Sequence, residues 1–228
     1  MNSPSSTAAN TDRTVPSQLG FPVVGIGASA GGIAALKVFF EHMPAESGMA
    51  FVIVLHLSPD HQRVADGIIR AATSMPVVQV NSCVPIEPDH VYVISPAWQL
   101  IMADGHLKVV PSSRPLGKHV AIDLFFRDLA DVHKQRSFCV VLSGAGSDGA
   151  VGLSRIKEQG GITLVQSPAD AEFDGMPLAA IATGLVDAIL PVADIPQKLL
   201  GFWMGMRSIR VADAEAGFGG VLNAFELM

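Results

Sequence analysis

Residues 21–43, FPVVGIGASAGGIAALKVFFEHM, set a short apolar run, a glycine-rich turn and an apolar stripe at helical spacing one after another. A run that is apolar at nearly every position reads as a strand buried on both faces, the condition of a strand inside a parallel sheet. A helix that follows at once through glycines is the first half of a crossover connection. Pro44 stops that helix. Ahead of Phe21 the chain is polar, rich in Ser, Thr, Asn and Pro, which predicts a domain boundary there.

The pattern recurs. AFVIVLHL at 50–57 reads as a second buried strand with a helix over 63–73 after it, then PVVQV at 76–80 and HVYVIS at 90–95 as strands. QLIMADGHLKVV (99–110) alternates apolar and polar residues around Asp104-Gly105, a strong hairpin signal. Helix and strand then alternate through 121–134, 137–143, 150–159, 162–166, 176–184 and 186–190, and a helix runs from Pro196 to about 206. The expected fold is α/β: a three-layer αβα sandwich on a doubly wound, mostly parallel sheet, with an antiparallel hairpin at an edge. The expected organisation is a polar, flexible segment over 1–20, one domain over 21–206 and an unassigned tail over 207–228.

Composition narrows the function. Of 228 residues, 49% are hydrophobic and 16% charged, which excludes bulk disorder. A net charge of −6 with no run of Lys or Arg gives no footprint for nucleic acid. No apolar stretch reaches the length of a membrane span, and residues 1–19 lack the apolar core of a secretory signal, so a cytoplasmic protein without membrane insertion is expected. The two cysteines, Cys83 and Cys139, share no metal or disulfide spacing, and the histidines form no metal motif. No cofactor and no metal is expected.

GIGASAGG (25–32) admits two readings. As a phosphate cradle it calls for an acidic residue at the end of the second strand, where His56 stands instead. As a nucleophile's perch it places Ser29 in a G-x-S-x-G frame, where a tight turn exposes the hydroxyl and nearby amides can hold an oxyanion. The plain alternative is that Ser29 caps the helix. His56 at the end of the second strand supplies a base, and Asp148 in SGAGSDGA (143–150), after another buried strand, supplies a group to orient it. A core histidine and a helix-capping aspartate are the plain alternatives for these two. Ser, His and Asp at three strand ends together make a catalytic triad the sharper reading, in an order unlike that of α/β-hydrolases. His61 is a rival base. Asp123 is read as a cap or a residue of the site wall, with the structural role preferred, and Arg114, Lys118 and His119 as solvated loop residues or contacts for an anion.

At VVGIGASAGG, VLHLSPDH, HVYVISP, AIDLFF, LSGAGSDGAVGL and AEFDGMPLAAIATGLVD the sequence resembles the catalytic module of the chemotaxis receptor methylesterase, CheB, over about residues 22–200. The resemblance implies hydrolysis of γ-glutamyl methyl esters on the cytoplasmic helices of methylated chemoreceptors, releasing methanol, and deamidation of particular receptor glutamines. It implies Ser29 as nucleophile, His56 as base, Asp148 as orienting acid, and the backbone amides of Ala30 and Ala145 as the oxyanion hole. Leu55, Leu57 and Ala145 depart from the residues common at these places. Only about 20 polar residues stand ahead of the module in this sequence, so a module without the receiver domain of the family's stand-alone enzymes is expected, and its middle segment is similar to that of CheB modules fused to a methyltransferase. A separate or fused methyltransferase or response regulator is thus an implied partner. Two other readings stay open: a catalytically silent module that binds receptors or signalling partners, and a serine hydrolase for another ester.

Overall fold

The computed structural model describes residues 16–55, 59–94, 98–103, 105–111 and 121–208. Its elements run β1 (Val23–Ala28), α1 (Gly32–His42), β2 (Ala50–Leu55), α2 (Pro59–Ala72), β3 (Val77–Val80), β4 (Val84–Pro85), β5 (Val91–Ile94), β6 (Trp98–Ala103) and β7 (His106–Pro111). They continue with α3 (Ala121–His133), β8 (Ser137–Val141), α4 (Ala150–Glu158), β9 (Ile162–Gln166), α5 (Gly175–Ala182), β10 (Ala188–Leu190) and a last helix, α6, over 195–208. The helix expected from residue 63 starts earlier, at Pro59. A proline suits the first turn of a helix, where its missing amide hydrogen is not needed.

Seven strands form one sheet in the order β10-β9-β8-β1-β2-β5-β3, and every neighbouring pair is parallel. β1, β2 and β8 are buried along their whole length, as their unbroken apolar sequences require. The chain builds outward from β1 to one side, then returns to lay β8 on its other side. A topological switch point therefore lies between β1 and β8, where the loops leaving the two carboxyl ends diverge and leave a crevice.

The hairpin forms as expected, turning through Gly105 at φ 72°; Asp104 lies outside the described residues. Rather than extending the large sheet, it recruits β4 into a three-stranded antiparallel sheet of its own, which lies beside edge strand β3 and against α3.

Helices cover both faces. On one, Phe39 and Phe40 of α1 meet Phe51 of β2 edge to face, in a core shared with α2 and α6. On the other, α3 contributes Ile122, Phe125, Phe126 and Leu129 to a core shared with α4, α5 and the small sheet. This second face explains two glycines. Gly25 and Gly27 lie inside β1, and a Cβ on Gly25 would come within 2.7 Å of Leu129 and 2.8 Å of Phe125, while one on Gly27 would collide with Ile122. They let α3 lie flush on the sheet, so their backbone is covered and cannot approach a phosphate. Ahead of β1, the Ser17 amide donates to the Val132 carbonyl (2.8 Å), which ties this segment to the end of α3.

Candidate active site

The turn after β1 places Ser29. Its amide donates to the carbonyl of Ser143 (3.0 Å) at the end of β8, and its carbonyl accepts the Gly32 amide (2.9 Å). Gly31, at φ 72°, is the N-cap residue of α1, so Ser29 sits ahead of the cap position rather than in it. A positive φ here suits glycine, because a side chain in the left-handed region clashes with the following carbonyl. A cleft of roughly 480 Å³ opens beside Ser29, lined by Gly31, Ile33, Ala34 and Lys37 of the α1 side, Ile68 of α2 and Glu172.

His56 lies outside the described residues, as do Arg114, Lys118 and His119, and so does the side chain of His61. Leu55, immediately before His56, is the register partner of Ala28, immediately before Ser29.

Asp148 occupies the turn after β8 and is 5% exposed. It does not cap the helix that follows it, whose N-cap is Gly149. Instead its carboxylate reaches the start of α3, where Oδ2 accepts the Ile122 amide (3.1 Å) and Oδ1 the Asp123 amide (3.0 Å). The unpaired amides of a helix N-terminus favour a negative charge at that place. Asp123 returns the arrangement: its Oδ1 accepts the Gly152 amide (2.7 Å) in the first turn of α4. Burial pushes the Asp123 carboxyl above the usual carboxylate range, the bond from Gly152 opposes this, and the neighbouring Asp148 charge adds to the rise. Two helix starts are thus closed by exchanged aspartates, and the structural role expected of Asp123 is the one it has.

Ser143 joins the turns on either side of the crevice. Its buried hydroxyl donates to the Ala30 carbonyl (2.9 Å) and accepts the Phe173 amide (3.0 Å), and its own amide donates to Oε1 of Gln166 (2.8 Å). Gln166 in turn donates through Nε2 to Asp170 (2.8 Å to Oδ2), so the segment 167–174 is held over the crevice. The Gly144 amide donates to the Phe173 carbonyl (3.0 Å), and the Met176 amide to the Gly144 carbonyl (2.8 Å). A Cβ on Gly144 would lie 3.0 Å from that of Ser29, so the turn after β8 passes directly over the serine. Ala145 is exposed, and among the described residues no acceptor takes the amide hydrogen of Ala30 or of Ala145. Sequence reasoning passed over Ser143, Gln166 and Glu172. A lone glutamine closing the apolar run ITLVQ was the available signal for one of them, because a polar side chain at a buried strand end needs a partner.

The sequence profile described as CheB methylesterase matches residues 24–199. The chain belongs to the CheB methylesterase family. That family is one of carboxylic ester hydrolases, and this member is 32% identical over 187 residues to a putative protein-glutamate methylesterase/protein-glutamine glutaminase of Leptospira interrogans, covering 80% of this chain and 95% of that one. It is 32% identical over 196 residues to protein-glutamate methylesterase/protein-glutamine glutaminase 1 of Geobacter metallireducens, covering 83% of this chain and 53% of the relative. An uncharacterized 104.1 kDa protein of Rhodobacter capsulatus is 41% identical over 138 residues, 60% of this chain and 14% of that one. The CheB-family chain therefore spans nearly the whole of one relative, about half of another and a small part of a third. The crystal structure of the Thermotoga maritima CheB methylesterase catalytic domain superposes with a TM-score of 0.75 at 24% identity, covering 81% of this chain and all of that one, and shows the same fold. No described helix is long and apolar enough to cross a membrane.

Proposed function

We propose that this CheB-family chain hydrolyses γ-glutamyl methyl esters on the cytoplasmic helices of chemoreceptors, yielding glutamate and methanol, and that the same site deamidates receptor glutamines. The observation that carries the reading is the crevice at the switch point. Ser29 and Asp148 leave adjacent strands there, and two amides without acceptors among the described residues, those of Ala30 and Ala145, flank the serine's turn.

In this reading Ser29 Oγ attacks the ester carbonyl and His56 takes its proton. The oxyanion of the tetrahedral intermediate is held by the Ala30 and Ala145 amides, and its collapse expels methanol with the proton returned by His56. Water then attacks the acyl-enzyme with His56 again as base. Asp148 stabilises the imidazolium while its own charge is fixed by the start of α3. Backbone donors serve whatever side chain stands at Ala145, and loss of one such donor costs about a hundredfold to a thousandfold in rate. The reading takes residues 21–206 as the catalytic unit and the cytoplasm as its place of action. Relatives named for both activities, glutamate methylesterase and glutamine glutaminase, support the pairing of ester and amide chemistry.

The test is methanol release from membranes carrying methyl-labelled chemoreceptors, by the parent protein and by Ser29→Ala. Release by the parent alone is the expected result. No release by a folded parent beside an active control enzyme would overturn the reading in favour of a binding module.

A further inference from the structure

We infer that Glu172 makes this site discriminate against its own product, a glutamate carboxylate, in favour of the neutral ester or amide. The inference rests on the esterase reading above. Glu172 lies in the segment between β9 and α5 and lines the same cleft as Ser29. A Cβ on Gly31 would stand 2.8 Å from its Cβ and 3.0 Å from its Oε2, so the carboxylate hangs over the turn two residues after the serine. The segment is not free to carry it away: Gln166 grips Asp170, and the Phe173 backbone is bonded to both Ser143 and Gly144.

Among the described residues the charge is also uncompensated. The other charged side chain among the described residues of the cleft, Lys37, is ion-paired along α1 with Glu41 at 2.8 Å. Among the described residues the Glu172 side chain has no ion-pair or hydrogen-bond partner. The other described side chains of the wall, Ile33, Ala34 and Ile68, are apolar and offer nothing to balance a second anion.

Hydrolysis turns a neutral ester and water into a carboxylate, methanol and a proton. The substrate therefore meets Glu172 without charge and the product meets it with one, and like charges repel at this range. Because Glu172 is exposed to solvent, the repulsion is screened and modest. It acts on the product complex and leaves the neutral ester almost untouched, which makes Glu172 a specificity-determining residue.

The experiment measures initial rates of methanol release from methyl-labelled receptor membranes while unmethylated receptor membranes of the same lipid composition are added as competitor. For Glu172→Gln the inhibition constant of the unmethylated receptor should fall about three- to fivefold, with the KM of the ester unchanged within about twofold. Glu172→Asp should behave as the parent, and the difference between parent and Gln variant should shrink at about 0.5 M salt. Equal movement of KM and inhibition constant, or no movement of either, would overturn the inference while leaving the esterase reading intact. No methanol from the parent would overturn that reading, and the inference with it.

Discussion

Asp148→Asn tests the junction of α3 and α4 and the proposed orientation of the His56 base together. In the parent, the two carboxylate oxygens take two amides of α3, at 3.1 and 3.0 Å, in a place 5% exposed. Asparagine keeps one acceptor oxygen, so one of the two amides faces an NH₂ group and is left without a partner. Loss of a charge-assisted hydrogen bond costs about 1.5–3 kcal/mol, and an orphaned buried donor carries a penalty of similar size. Neutralising a charge at a helix N-terminus removes a further ~0.3–1 kcal/mol. Relief of the repulsion with Asp123 returns part of this, and the expected net loss is about 2–4 kcal/mol. Urea unfolding should show it as a lower midpoint at constant slope, and a melt as a drop of roughly 5–15 °C for a chain of this size. In the methanol assay kcat should fall by about 10³–10⁴ through loss of the oriented base, far more than the population of unfolded protein explains. A loss of stability below about 0.5 kcal/mol would refute the account of Asp148 as the anchor of α3.

Gly25→Ala should cost about 1–3 kcal/mol, read by denaturant unfolding, because its methyl group meets Leu129 and Phe125 at 2.7–2.8 Å beneath a helix that cannot lift without exposing the core. His133 supplies the acid response. Burial, and secondarily the Arg136 charge, lower its pKa from 6.5 to about 4, and among the described residues neither ring nitrogen has a hydrogen-bond partner. A folded-state pKa below the unfolded one means that the unfolded chain takes up the proton first. Stability is therefore full above pH 6.5 and declines as pH falls from 6.5 towards about 4, by about 3 kcal/mol in all. His133→Leu should flatten that slope in unfolding midpoints measured across the range.

The architecture was legible because its elements are signalled locally. Unbroken apolar runs such as AFVIVL mark strands buried on both faces, and Pro44 and Gly105 mark their own turns. What was not legible is what depends on a partner distant in sequence. Gly25 and Gly27 read as turn glycines, but their reason is α3, about a hundred residues later in the chain. The plain alternative for Asp148, a cap on the next helix, was legible, but the helix start it serves is one that begins before it, at Ala121. The hairpin was plain in sequence, while its choice of β4 over the large sheet depends on a two-residue strand that carries almost no pattern. At the candidate site, Ser29 and Asp148 are singled out by glycine-rich turns at strand ends and Gln166 is marked only by its place at the end of an apolar run, whereas Ser143 and Glu172 act across the crevice and announce themselves only in three dimensions.

The exchanged aspartates also bear on how this scaffold can be rebuilt. Asp123 secures the start of α4 and Asp148 the start of α3, so the stretches around them form a matched pair: transplanting one from a relative without the other leaves a helix start unclosed. The segment over 167–174 is fastened differently, through the side chains of Gln166, the last residue of β9, and Ser143, just beyond β8, neither of which belongs to the segment. Its residues 171, 172 and 174 can be exchanged without disturbing that fastening. Variation in what this enzyme accepts is therefore cheapest to introduce in that segment, beside chemistry kept rigid by the helix pair.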